Sequence, residues 1–269
     1  MNCAQHQDPA LANLADAARD RFPRASSYDH PWILGSSMGP NPLWLTEWLC
    51  QRMDLHPGMR VLDLGCGMGL SSIFLAREFD VQVWAADLWV PPTKISDSIR
   101  TAGLAEQVFP IHADARKLPF AEGFFDAIVC VDAYIYFGTD DLYLDDLVRF
   151  VRGEGQLGIV VPGFMQDIRG KLPEHLRPFW AQECWSWHTI DWWRWLWQRT
   201  GLVSIETADS LDDGWRLWAS WERAVHATQN PEASQDDPGP DAAVLLADQG
   251  RYMGFHRMIA RRNRLAETS

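Results

Sequence analysis

Asp63, Asp87, Asp114 and Asp132 each close a run of apolar residues, and Gly65, Gly67 and Gly69 directly follow the first of them. A carboxylate offers two acceptor oxygens, which suits a pair of hydroxyls or an ammonium group. Glycines admit positive φ and let a ligand approach the backbone with no Cβ in the way. The run Ser71-Ser72-Ile73-Phe74-Leu75-Ala76 then opens a helix whose first N–H groups are unsatisfied and face the turn. Such a turn binds a nucleotide-like group. A single aspartate at a strand end is usually a turn or cap residue. Four of them, in register with successive strands and a glycine turn, make a binding constellation.

The dinucleotide fingerprint is G-x-G-x-x-G. Here the third glycine comes one residue early, Leu70 stands where glycine is wanted, and an acid lies inside the strand end. The stretch Val61-Leu62-Asp63-Leu64-Gly65-Cys66-Gly67-Met68-Gly69 resembles the first motif of the class I S-adenosylmethionine (SAM)-dependent methyltransferases. The stretches Asp114-Ala115-Arg116-Lys117-Leu118-Pro119-Phe120 and Phe124-Phe125-Asp126-Ala127 resemble the ubiquinone- and menaquinone-biosynthesis type of small-molecule methyltransferase. The resemblance implies SAM as cofactor and S-adenosylhomocysteine as its product. It implies that Asp63 helps hold the ammonium and that the backbone of Gly65, Cys66 and Gly67 lies against the amino-acid part. Asp87, with Leu88, is implied to take the ribose hydroxyls, and Asp114 and Ala115 the adenine edge. Asp132 is implied between cofactor and substrate, with Ser37 and Asn41 in a lid over the cofactor. No metal site is expected.

These residues need a scaffold that aligns strand ends. Leu11, Leu14, Ala15 and Ala18 predict a helix over 9–22, and Leu45, Trp48 and Leu49 a second over 43–53. The Gly-, Pro- and Ser-rich stretch between them, 24–42, reads as a loop. Strand and helix alternate from residue 59, which predicts a parallel sheet covered on both faces. Strands are expected at 61–64, 81–87, 108–114, 125–132, 156–161, 202–208 and 252–260. Helices are expected at 93–102, 140–151, 188–200, 215–227 and 242–248. Residues 229–241 read as a disordered linker. The fold class is therefore α/β: a Rossmann-like, seven-stranded, mostly parallel sheet with an N-terminal helical cap and a Trp-rich C-terminal excursion. The resemblance places the seventh strand antiparallel between the fifth and sixth. The expected division is a cap over 1–58, a methyltransferase domain over 59–262 with an insertion at about 212–248, and a tail over 263–269.

Composition narrows the partners. The 269-residue chain is 47% hydrophobic and carries a net charge of −12, with no basic run before Arg261-Arg262. A nucleic-acid partner would want a basic stripe, and no membrane-length apolar segment occurs. Five scattered cysteines form neither a C-x-x-C pair nor a disulfide framework. The first residues carry no signal-peptide pattern, so a cytoplasmic location is expected.

The acceptor side is less legible, because SAM chemistry needs a base only where the nucleophile carries a proton. Tyr134 and Tyr136, just past the fourth strand, are candidates to touch substrate or cofactor. His188 is a candidate general base or, alternatively, a capping or core residue. His112 reads as a locally bonded strand histidine, and only the backbone of Cys66 is expected to matter. Seven of the 15 tryptophans fall between Trp180 and Trp197. Trp192 and Trp195 share one helix face, and Trp193 and Trp197 another; core or subunit interface is expected for these four. Trp180, Trp185 and Trp187 are expected to reach a pocket. The reading is methyl transfer to a small, apolar or aromatic acceptor by a chain that forms a possible homodimer. The alternatives are a SAM-binding protein with another role and, less favoured, a nicotinamide-dependent oxidoreductase.

Overall fold

The computed structural model describes residues 18–234 and 236–264. The first helix expected from the sequence, over 9–22, falls mostly outside them. The described chain folds around one seven-stranded sheet in the order β3-β2-β1-β4-β5-β7-β6. The strands are β1 (Arg60–Leu64), β2 (Gln82–Asp87), β3 (Val108–His112), β4 (Phe125–Val131), β5 (Val151–Phe164), β6 (Val203–Ser210) and β7 (Met253–Arg262). The first five pair in parallel. Only β7 runs antiparallel, between β5 and β6.

Successive residues of a strand point to opposite faces. Val61, Leu62, Asp63 and Leu64 are all 0–1% exposed, so both faces of the sheet are covered at its centre. The covering helices are α1 (His30–Ser36), α2 (Pro42–Cys50), α3 (Leu70–Phe79), α4 (Pro92–Thr101), α5 (Tyr143–Val148), α6 (Ile190–Gln198), α7 (Gly214–Gln229) and α8 (Pro240–Asp248). Helix α2 lies close on β5, where Gly158 leaves room for Met53 and Leu49.

Four elements differ from the sequence reading. The expected loop at 24–42 contains α1, which Asp29 caps by accepting from Trp32 N at 3.0 Å, with Pro31 in the first turn. Strand β5 starts five residues early at Val151, and the helix before it shrinks to α5. The polar run Arg152-Gly153-Glu154-Gly155 forms a bulge in this strand. The register jumps from Phe125↔Val151 to Ala127↔Gln156, with Glu154 at φ +64°. Where described, residues 230–239 between α7 and α8 form neither helix nor strand, and Asp237 makes local bonds there. Asp237 accepts from Gly239 N at 2.9 Å and meets His226 Nε2 at 3.3 Å. The last strand runs to Arg262, where an arginine reaches the carbonyls of Arg149 and Val151.

Candidate functional site

The strand order reverses between β1 and β4, and in open α/β sheets ligands sit beyond the strand ends at that point. A cleft of about 340 Å³ opens there, within the size range of small-molecule sites. Its floor is the glycine turn after β1. Its sides are the residues after β2, β3 and β4, and its roof is the segment Ser37–Pro40 between α1 and α2.

The turn is built for close approach. Gly65, Gly67 and Gly69 have φ of +77°, +53° and +81°. A Cβ on Gly65 would stand 2.3 Å from that of Ala133, so the turn and the residues after β4 touch. Below the turn, Asp63 is 1% exposed. Its Oδ2 accepts from the hydroxyls of Ser71 (2.6 Å) and Ser72 (2.5 Å), while Oδ1 is buried with no partner. Burial lifts its carboxyl to about 6 against the two serine bonds, and Asp87 adds to the rise. Asp63 therefore underlies the cleft rather than lining it.

Asp87 lines the cleft and organises it. Its Oδ2 accepts from Gly67 N (2.8 Å), and Oδ1 accepts from Trp89 N and Val90 N (2.7 Å each). Three of its roughly four acceptor positions are thus used by the backbone, leaving less for a ribose than a free carboxylate would offer. Asp114 and Ala115 stand in the wall, with Asp114 Oδ1 accepting from Arg116 N at 2.9 Å. Leu88, Cys66 and Ser37 also line the cleft. The Cys66 thiol is pushed up by burial, with Asp63 and Asp87 adding to it. His112 Nε2 lies 2.9 Å from Leu88 O, the expected local bond.

Asp132 stands at the end of β4 with φ +58°. It lines the cleft opposite the roof, where a Cβ on Gly39 would fall 2.5 Å from its Oδ2. Burial raises its carboxyl to about 7, and the carboxylates of Glu222 and Glu183 add to that. Tyr136, 42% exposed, lines the mouth and meets Trp89 edge-on at 4.9 Å.

Three expected site residues lie elsewhere. Tyr134 is 0% exposed and does not reach the cleft. Its ring packs against Trp193 and Trp197 of α6, and its hydroxyl is buried without a partner. Asn41 is the N-cap of α2, where Oδ1 accepts from Leu43 N (3.0 Å) and Trp44 N (3.2 Å). It is buried behind the cleft rather than within it. His188 stacks on Trp192 at 3.6 Å and lines a separate cavity with Trp180, Trp185 and Trp187. Burial lowers its imidazole. The sequence reading missed Glu222 and Glu183, which lie on α7 and in a short 3-10 turn and come to Asp132 only through the tertiary fold. No group of three metal-ligating side chains converges among the described residues.

The donor set fits SAM. Three glycines of the cradle carry no Cβ, the N-terminus of α3 faces it, and a buried acceptor, Asp63 Oδ1, lacks a partner beneath it. Strand order and strand-end acids are those of the class I SAM-dependent methyltransferases. Residues 61–155 match the family described as "Methyltransferase domain". It is similar to Methyltransferase GfsG of Streptomyces halstedii, 33% identical over 134 residues and 48% of each chain. It is similar to the demethylmenaquinone methyltransferase of Mycobacterium sp. (strain KMS), 31% identical over 152 residues, 55% of this chain and 57% of that one. The chain thus spans about half the length of the curated relatives it matches. The fold is that of Haemonchus contortus phosphoethanolamine N-methyltransferase 2 solved with SAM. That similarity has a TM-score of 0.69 and 18% identity, over 93% of this chain and 60% of the other.

Proposed function

We propose that this protein transfers the methyl group of SAM to a small acceptor, apolar or aromatic in its body. The observation that carries the reading is the cleft itself: a glycine cradle, three strand-end acids in its wall and a fourth beneath it. When bound, SAM supplies an electrophilic methyl carbon already activated by its sulfonium. The chain's residues then have to align the nucleophile and exclude water. The turn at Gly65–Gly67 takes the amino-acid part, and Asp63 answers the ammonium through its unpartnered oxygen or a bridging water. Asp87 offers its remaining lone pair to the ribose, and Asp114 and Ala115 meet the adenine edge. The exposed rings of Trp89 and Tyr136 at the mouth, with the apolar side chains of Met38 and Leu88 beside them, suit an acceptor of apolar body. No helix among the described residues is long and apolar enough to cross a membrane. The four described cysteines are free thiols, which suits a reducing cytoplasm.

The test is calorimetric titration of SAM into wild type and Asp87→Asn. An amide NH2 at position 87 would face either Gly67 N–H or the N–H pair of Trp89 and Val90, so both the turn and the ribose contact suffer. Unmade bonds to a charged group cost about 1–3 kcal/mol, so affinity should fall about 10- to 100-fold. Catechol, 2-naphthol and phenethylamine are then offered as acceptors, with S-adenosylhomocysteine release as the readout. Absence of SAM binding by wild type would overturn the reading.

A further inference from the structure

We propose that Asp132 takes the proton from the acceptor during methyl transfer, so that the acceptor brings its nucleophile as an O–H or N–H. This rests on the methyl-transfer reading above.

The argument starts from the difference between Asp132 and its three counterparts. Asp63 is held by two serine hydroxyls, Asp87 by three backbone N–H groups and Asp114 by Arg116 N. No described group donates to the Asp132 carboxylate, although it lines the cleft. Its backbone is nonetheless fixed: Asp132 N donates to Val160 O at 2.8 Å, and Ala133 abuts the glycine turn. The positive φ of a non-glycine residue is a strained arrangement of the kind that collects at functional sites. Gly39 opposite leaves the space that a larger residue would fill.

The surroundings make this carboxylate basic. Glu222 on α7 and Glu183 in the turn Gln182–Ser186 both act on it, and neither is a cation. Burial raises the Tyr136 phenol and the Cys130 thiol, and the Asp132 charge adds to both. Glu222 is itself lifted to about 7 by burial, although it accepts from Trp218 Nε1 at 3.0 Å. A half-buried carboxylate among acids, with no hydrogen-bond donor and no cation acting on it among the described residues, is short of a proton that a substrate can supply. The step balances. The acceptor's lone pair forms the bond to the methyl carbon, and its proton passes to an Asp132 oxygen. The carbon–sulfur electron pair leaves on sulfur, giving the neutral thioether. Protonated Asp132 then returns the proton to water when the cleft opens.

Asp132→Asn tests this, because asparagine tolerates the left-handed conformation and should keep the fold. SAM affinity should stay within about threefold of wild type. Turnover of a hydroxyl or amine acceptor from the screen above should fall about 100-fold or more. The acidic limb of the wild-type pH–rate profile, near pH 7, should disappear, and Asp132→Glu should restore part of the rate. Turnover of Asp132→Asn within threefold of wild type would overturn the proposal. So would a tenfold loss of SAM affinity with unchanged turnover at saturation, which would make Asp132 a cofactor ligand. If none of the three acceptors turns over, carboxyl-carbon NMR of the S-adenosylhomocysteine complex decides. A resonance missing from Asp132→Asn and titrating near pH 7 supports the proposal, and one titrating below pH 5 overturns it. Failure of wild type to bind SAM would instead remove the reading on which the proposal rests.

Discussion

Asp63 carries one carboxylate oxygen held by two serines and one held by nothing, and the two favour opposite protonation states. Burial wins, and the group titrates near 6 in the fold against 3.8 when exposed. Between about pH 4 and 6 the folded chain therefore binds a proton that the unfolded chain has released. Its contribution to stability falls as pH rises through that window and is level above it. Asp63→Asn has no such titration. Acidification from pH 7 to 4.5 should stabilise wild type relative to this variant by about 2 kcal/mol, at 1.36 kcal/mol per unit. Urea midpoints at the two pH values measure it, and parallel pH dependence in both proteins would contradict it. The strand-end acids were legible because each ends an apolar run. The partners of Asp87 and Asp114 were not, since a backbone N–H is invisible in a sequence. Tyr134 shows the converse: it sits beside Tyr136 in sequence, but the α6 tryptophans close over it and leave only Tyr136 at the cleft.

Helix α2 begins where the roof of the cleft ends, so its cap decides how firmly the roof is held. Asn41 serves two backbone donors through Oδ1, while its Nδ2 is buried without a partner. Asn41→Ala removes the first arrangement and relieves the second. Loss of an N-cap costs about 1 kcal/mol, which thermal denaturation should register, while SAM affinity stays within about threefold. A tenfold loss of affinity with unchanged stability would return Asn41 to the cofactor. The pattern Asn41-Pro42 before an apolar run carries a cap signal, as Asp29 with Pro31 does for α1, but the glycines, prolines and serines of 24–42 outweighed it and α1 was read as loop. The tryptophan helix was legible as an element but not in its orientation. Two tryptophan faces compete in sequence. The structure buries Trp193, Leu196 and Trp197 and leaves Trp195 52% exposed, with Arg199 over its ring. The buried face meets Tyr134, which comes from the 3-10 turn after β4.

At the scale of the whole molecule, the cleft joins two parts that the chain brings together late. Sheet residues make its floor and sides, and the roof comes from the N-terminal helices. Arg257 on β7 ties these parts. Its guanidinium bonds Asp209 on β6 through both oxygens, at 2.9 and 2.6 Å, and also reaches the Trp48 carbonyl in α2. Trp221 Nε1 on α7 donates to Gly39 O at 2.9 Å, holding the roof from the C-terminal side. The order of the strands followed from alternation and the family resemblance, but neither tie is visible in sequence, since each spans more than 180 residues. A ligand filling such a cleft contacts both parts and binds only the folded chain. At 100 times its dissociation constant, SAM should then add about 2.7 kcal/mol. For a chain of this size that raises the melting temperature by about 5–10 °C. The rise should come with slower amide exchange both at residues 65–69 and at 37–40. Protection of the glycine turn alone would mean that the roof takes no part in binding. A rise in melting temperature with no protection at either segment would place SAM somewhere other than this cleft.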